Sequence, residues 1–248
     1  MPSTYNRRKF LTGAGMFTLG TGLLSVDAAL AKSRKTRIGA ADKVRVGLIG
    51  ARGMGFYILE NHMKQPEVEC VALCDIDDSV LRARSQRVLE FQDTKPTLYK
   101  DFRKLLDNKD IDAVIVGTPD HWHCLIMIEA CKAGKDVYVE KPMANSLAEL
   151  DAMVAAARKY NRVVQVGQQQ RSAQQWRDVM DFIKSGKIGQ LRQVNIWGNF
   201  EYGIGQPKVQ DSQVPEGVDF DMWLGPAPDR TFNKNRFHGS WRMFWDYG

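Results

Sequence analysis

The chain has 248 residues, of which 44% are hydrophobic and 26% charged, with a formal net charge of +6. That is enough chain for one large domain or one and a half, and the balance excludes a disordered, fibrous or membrane-spanning protein. Three of the basic residues, Arg7, Arg8 and Lys9, lie in a leader-like N-terminus; no Lys/Arg block with interleaved aromatics follows, which argues against nucleic acid as a partner.

Residues 1–31 read as an export signal. Asn6-Arg7-Arg8-Lys9-Phe10-Leu11 is a twin-arginine pattern, a mildly apolar run extends from Phe10 to Leu24, and Ala29-Leu30-Ala31 is a small-residue cleavage site. Gly13, Gly15, Gly20 and Gly22 disfavour a stable membrane helix. The expectation is a periplasmic or otherwise exported protein, carried folded by the twin-arginine machinery, with no stable membrane span. Residues 32–42 read as a polar linker.

Short apolar runs then alternate with segments of helical period. Val44–Ile49, Val68–Cys74, Ala113–Val116, Val137–Val139 and Val163–Val166 are β-branched and bounded by Gly, Asp or Pro, as strands buried on both faces are. The helical segments are Phe56–Lys64, Ser79–Phe91, Phe102–Leu106, His123–Lys132 and Leu147–Tyr160. The last opens on Ser146-x-x-Glu149, a capping box. This alternation predicts right-handed βαβ units and a doubly wound parallel α/β sheet over residues 43–168. From about Arg171 the pattern changes: a helix over Ala173–Lys184, a strand over Leu191–Phe200, then a stretch rich in Trp, Pro and Gly. Residues 169–248 are predicted to be the incomplete start of an α/β substrate domain with an open sheet. Cys70, Cys74, Cys124 and Cys131 sit in apolar segments without a C-x-x-C pair and are expected to be buried thiols.

Two strand ends carry the chemistry. Gly50-Ala51-Arg52-Gly53-Met54-Gly55 follows the first strand and precedes a helix, where glycines let the backbone turn tightly and approach a pyrophosphate. The order is G-x-x-G-x-G, with Arg52 at the usual middle-glycine position, where it either adds a phosphate contact or offsets discrimination against NADP. Asp75 stands 20 positions after Gly55 at the end of the next strand, placed to accept a ribose 2′-hydroxyl. The cofactor is therefore expected to be NAD, with NADP second. Lys141, in Glu140-Lys141-Pro142, ends another strand; the proline biases it toward extended geometry, and it is placed to hydrogen-bond a substrate hydroxyl or take its proton. Thr118-Pro119-Asp120-His121-Trp122-His123 could suggest a metal site. Only His62 and His238 remain to complete one, so the loop is read instead as lining the cofactor, with Asp120 capping the next helix.

Longer motifs accompany these: Gln165-Val166-Gly167-x-Gln169-Gln170-Arg171-Ser172, Pro215-Glu216-Gly217-x-Asp219-Phe220-Asp221-x-Trp223-Leu224-Gly225-Pro226-Ala227-Pro228, and Phe237-His238-Gly239-Ser240-Trp241-Arg242-x-Phe244-Trp245-Asp246-Tyr247-Gly248. With them the chain resembles the Gfo/Idh/MocA oxidoreductase family, from about Lys43 onward. The resemblance implies a Rossmann domain in which Gly50, Gly53, Gly55 and Asp75 hold NAD. It further implies that Thr118, Pro119, His121 and Glu140 line the nicotinamide half and that Lys141 is catalytic. Trp241 and Arg242 would reach back to cofactor or substrate, and Arg171 and Tyr247 would join Lys141 on the substrate side. Packing between domains is an equal reading for Trp241. In the family a Gly-x-x-His-x-x-Asp motif follows Asp-Tyr-Gly. This chain stops before it, so a fragment or natural truncation is expected, with a homo-oligomer as the full-length form. Three functions follow as expectations: an NAD-dependent oxidoreductase of sugars or polyols, an NAD-dependent glycosidase or lyase working through transient sugar oxidation, and an inactive NAD-binding fragment.

Overall fold

Runs of β-branched residues become parallel strands where helices cover both faces of a sheet. The computed structural model describes residues 43–198 and 207–248; the export signal, the linker and the end of the strand predicted over Leu191–Phe200 lie outside them. The strands are β1 (Val44–Ile49), β2 (Val68–Cys74), β3 (Thr97–Tyr99), β4 (Ala113–Val116), β5 (Asp136–Val139) and β6 (Val164–Val166). They form one parallel sheet in the order β3-β2-β1-β4-β5-β6. The chain winds outward from β1 to β3, returns to β4 on the other side of β1, and winds outward again. A crevice opens where the direction reverses, at the carboxyl ends of β1 and β4.

Alternate side chains of the central strands β1, β2, β4 and β5 feed two cores. Val114 and Val116 pack with Leu105, Ile126, Met127 and Met153. Ile115, between them, joins Leu48, Phe56, Leu59 and Leu73 on the opposite face. Each such Leu or Phe, fully buried, contributes roughly 1.5–3 kcal/mol. The covering helices are α1 (Gly53–Met63), α2 (Asp78–Leu89), α3 (Phe102–Leu106), α4 (His123–Lys132) and α5 (Leu147–Lys159). All four cysteines are free and buried. Among the described residues no helix is long and apolar enough to cross a membrane.

Three local expectations differ from the structure. The edge strand β3 is too short to announce itself as a periodic run. Residues 191–198 are not a strand: Ile196 and Trp197 are 92% and 84% exposed, and no described strand pairs with them. A strand without a partner leaves its backbone groups unpaired, so apolar content alone does not make one. Asp120 does not cap α4. A 3-10 turn over Asp120–Trp122 intervenes, and the N–H of His123 goes to the Asp120 carbonyl.

Beyond the sheet, α6 (Gln174–Lys184) carries an apolar face, with Trp176, Val179 and Met180 about half exposed. The final segment instead returns to the crevice. Val218 bridges Asp77, the Asp78 N–H donates to the Gly217 carbonyl (3.1 Å), and the Asp219 N–H donates to Ile76 (2.9 Å). Helix α7 (Phe220–Leu224) follows and starts a third cluster, in which Phe220, Trp223, Phe232, Phe237, Trp241 and Tyr247 are buried.

The capping box of α5 forms as predicted: Ser146 Oγ accepts from the Glu149 N–H, and the Glu149 carboxylate takes the Ser146 N–H. Ser146→Ala is expected to lower stability by about 1 kcal/mol, read as a lower urea midpoint with unchanged slope.

Candidate functional site

The crevice is built on glycine contacts. Gly50 has φ +85°, and a Cβ there would stand 2.7 Å from the backbone of Gly117 and Thr118. A Cβ on Gly55 would overlap the Gly50 carbonyl, and one on Gly117 would lie 2.5 Å from Gly55 Cα. So three backbones touch where β1, α1 and β4 meet. Gly117 was not singled out in the sequence; the signal was its place directly after an apolar strand. Gly53 differs: it has φ +40°, but a Cβ there would meet nothing within 4 Å. Its turn opens onto empty space at the N-terminus of α1, where first-turn N–H groups lack intrahelical acceptors.

The cleft above these glycines encloses about 210 Å³. Arg52, Asp75, Thr118, Pro119, Trp241 and Arg242, all selected from the sequence, line it; Lys100 and His238, which were not, line it too. Asp75 is buried, with Oδ2 accepting from the Ala51 N–H (2.7 Å) and Oδ1 from the Asp77 N–H (3.1 Å). It thus ties the glycine turn to the end of β2, leaving further lone pairs for a ribose hydroxyl. Arg242 stacks its guanidinium over the Trp241 ring at 4.2 Å, and Trp241 is also part of the aromatic cluster. Trp241 thus lines the cleft and packs in the cluster at once.

His121 is turned into the aromatic cluster. Its Nε2–H donates to the Trp223 carbonyl (3.0 Å), which also accepts from Trp122 Nε1 (3.1 Å), and its backbone N–H donates to Tyr247 (3.2 Å). That bond fixes the tautomer, leaving Nδ1 a buried acceptor without a partner. Burial holds the imidazole below its ordinary pKa. Tyr247 has no exposed surface, and its hydroxyl is likewise unpartnered. His123 lies elsewhere: Nδ1 is 2.7 Å from the Pro142 carbonyl and Nε2 is 2.9 Å from that of Thr118. It bridges the loops after β4 and β5.

At the end of β5, Glu140 is buried and accepts from Gln169 Nε2 (2.5 Å); Gly167 leaves room for its carboxylate. Lys141 is exposed, precedes a cis peptide to Pro142, and makes no side-chain ion pair among the described residues. Asp120 has its carboxyl pushed up by burial, against the opposing pull of His123, Arg242 and Lys141. Lys141 and Arg242 therefore share one electrostatic neighbourhood. Arg171 is exposed in a short 3-10 turn at Gln169–Ser172. No cluster of metal-ligating side chains occurs among the described residues.

A dinucleotide fits this donor set. The open space over Gly53, the buried and unpartnered Thr118 hydroxyl in the cleft, and the Asp75 carboxylate are the features such a ligand completes. Burial pushes the Asp75 carboxyl up to about 6, despite the Ala51 and Asp77 N–H groups that favour its ionised form. With a folded value above the unfolded one, Asp75 costs the fold stability as pH rises from about 4 through 6, on the order of 3 kcal/mol. Asp75→Asn lacks this loss. The stability difference between wild type and variant, measured by urea unfolding, is expected to move against wild type by that amount between pH 4 and 7.

Residues 44–168 match the family described as oxidoreductase family, NAD-binding Rossmann fold, and residues 173–248 match its C-terminal alpha/beta domain. The chain is 30% identical over 204 residues to a glycosyl hydrolase family 109 protein of Shewanella baltica, covering 75% of this chain and 44% of that protein. It is 28% identical over 258 residues to an alpha-N-acetylgalactosaminidase of Shewanella oneidensis, covering 97% of this chain and 50% of that one. The chain thus spans about half the length of these relatives or less. Among solved structures, the WlbA dehydrogenase of Chromobacterium violaceum, in complex with NADH and UDP-GlcNAcA, superposes with a TM-score of 0.53 at 27% identity over 60% of this chain and 41% of that one. With its sheet order, glycine cradle and both family matches in agreement, the chain belongs to the Gfo/Idh/MocA family of NAD-binding oxidoreductases.

Proposed function

We propose that the protein uses NAD to oxidise or reduce a hydroxyl-bearing carbon of a sugar, sugar derivative or polyol, with Lys141 as the catalytic residue. The observation that carries this reading is an exposed lysine at the carboxyl end of β5, two strands from a glycine cradle at the end of β1 in the same parallel sheet. Gly50, Gly53, Gly55, Arg52 and Asp75 hold the adenosine and phosphate half of the cofactor. Thr118, Pro119, Trp241 and Arg242, which line the cleft, bound the other half, while His121 and Glu140 are buried outside that lining. When bound, NAD supplies a two-electron hydride acceptor. Lys141 Nζ, in its neutral amine form, hydrogen-bonds the substrate hydroxyl and takes its proton, becoming the ammonium as the carbon is oxidised. Glu140, held by Gln169, fixes the start of the Lys141 loop, and His123 fixes its far side at Pro142. Arg171, exposed in the turn after β6, belongs to the substrate side, whereas Tyr247, with no exposed surface, packs in the aromatic cluster. The twin-arginine pattern supports export in folded form.

A second reading is an NAD-dependent glycosidase that oxidises a sugar, eliminates the aglycone, adds water and reduces the product. The names of the Shewanella relatives favour it. Both readings use the same Lys141 and differ in the balance of electrons: net NADH accumulates only in the first.

The purified protein is expected to release near-stoichiometric NAD(H) on heat denaturation, quantified by mass spectrometry. A folded protein that carries none and takes up none would overturn the reading. Net NADH on adding sugars or polyols supports the dehydrogenase; aglycone release without it supports the glycosidase. Lys141→Ala is expected to lower turnover by about 100-fold or more while retaining NAD. Gly53→Ala, strained at φ +40°, is expected to lower the thermal midpoint without ligand and to weaken NAD retention, since its methyl group stands in the open space of the turn.

A further inference from the structure

His238 is out of place in several ways at once. It is a non-glycine residue with φ +48°, followed by Gly239 at φ +109°, a conformation that a side chain adopts only when its surroundings impose it. Its ring packs against Phe237, with centroids 3.7 Å apart. Its Nε2 is 3.1 Å from Asp77 Oδ2, a residue 161 positions earlier in the chain. The other Asp77 oxygen caps α2, accepting from the Ser79 hydroxyl and from the Ser79 and Val80 N–H groups. Asp77 is thus anchored on the sheet domain, and His238 is docked onto it from the final segment. The result is an imidazole on the wall of the same cleft that Asp75, Ile76 and Arg52 line.

We propose that His238 is a cofactor contact: with Nε2–H donated to Asp77, its Nδ1 accepts a hydroxyl of the adenosine ribose. The proposal rests on the NAD reading above and extends it to a residue that the cradle motif does not contain. Position argues for the ribose rather than the phosphates, because Asp77 lies two residues beyond Asp75, at the end of β2 where the ribose of a dinucleotide sits. Chemistry argues for an acceptor. The Asp77 carboxylate accepts the Nε2–H, so a neutral ring presents a lone pair at Nδ1. That atom has no partner among the described residues. Burial, with the nearby Arg52 charge, holds the imidazole below its ordinary pKa, while the Asp77 hydrogen bond opposes this. Burial therefore favours the neutral ring, the form that offers Nδ1 as an acceptor. Asp75 already spends both oxygens on backbone N–H groups, so a second acceptor at the ribose relieves it of serving both hydroxyls alone.

His238→Gln separates the two roles, since its amide nitrogen reaches Asp77 as Nε2 does but nothing replaces Nδ1. On protein stripped of cofactor, calorimetric titration is expected to show about tenfold weaker binding of NAD and of ADP-ribose, with nicotinamide mononucleotide unaffected. The ligand-free variant is expected to stay folded, with its thermal midpoint lowered only by the lost Phe237 contact. A variant that binds ADP-ribose as wild type does would overturn the proposal and leave His238 as a clasp only. Should the variant fail to fold, the 15N chemical shift of His238 Nδ1 in wild type decides the matter. An upfield shift of that nitrogen on adding ADP-ribose, as an acceptor nitrogen shows, supports the contact, and an unchanged Nδ1 shift in protein that binds ADP-ribose overturns it. Wild type that binds neither NAD nor ADP-ribose would sink the cofactor reading as a whole; wild type that binds them with an undiminished His238→Gln sinks this proposal alone.

Discussion

The structure depends on a place where three backbones touch. Gly50 ends β1, Gly55 lies in the first turn of α1, and Gly117 follows β4, and each occupies space that a Cβ on another would take. Because close packing in interiors leaves little room for adjustment, this contact sets how near α1 lies to the sheet. It also sets where α1 begins, so the helix N-terminus faces the crevice at the point of strand reversal. Asp75 secures the arrangement from the neighbouring strand by holding the Ala51 N–H. Gly53, by contrast, faces open space. One glycine motif thus serves two ends: two of its members pack, and one leaves room.

A second organising feature is the return of the chain to its own crevice. Segment 215–219 joins the end of β2, and the aromatic cluster around Trp223 and Tyr247 packs onto the loop after β4. The Trp223 carbonyl is the hinge pin of this contact, since it satisfies both His121 and Trp122. Trp241, Arg242 and His238 reach the cleft by this route. The cofactor crevice is therefore walled by residues more than 100 positions apart in sequence. What binds there also bears on how the final segment is held.

Five of the six strands, their order of appearance, the helices between them, the capping box at Ser146 and the glycine turn were legible in the sequence. Each is a local pattern: a β-branched run, a helical period, a cap, a turn that needs glycine. The errors lie where local pattern is insufficient. The apolar stretch at 191–198 has the composition of a strand but no described neighbour to pair with. Asp120 has the identity of a cap, yet a 3-10 turn between it and α4 gives its backbone a different task. Strand β3 is three residues at a sheet edge, too short for a period to show.

The sequence by itself determined the fold family, the cradle and the strand-end lysine, because these are encoded by residues close together in the chain and by long motifs. Only the tertiary structure decided what the histidines do. His121, His123 and His238 are chemically identical in sequence. One donates to the Trp223 carbonyl within the aromatic cluster, one bridges two loop carbonyls, and one stands on Asp77 at the wall of the cleft. A ring nitrogen's role is set by the partner it meets, and those partners lie up to 161 positions away. Burial made the same kind of decision for Asp75, whose proton affinity is a property of the closed crevice and not of the residue.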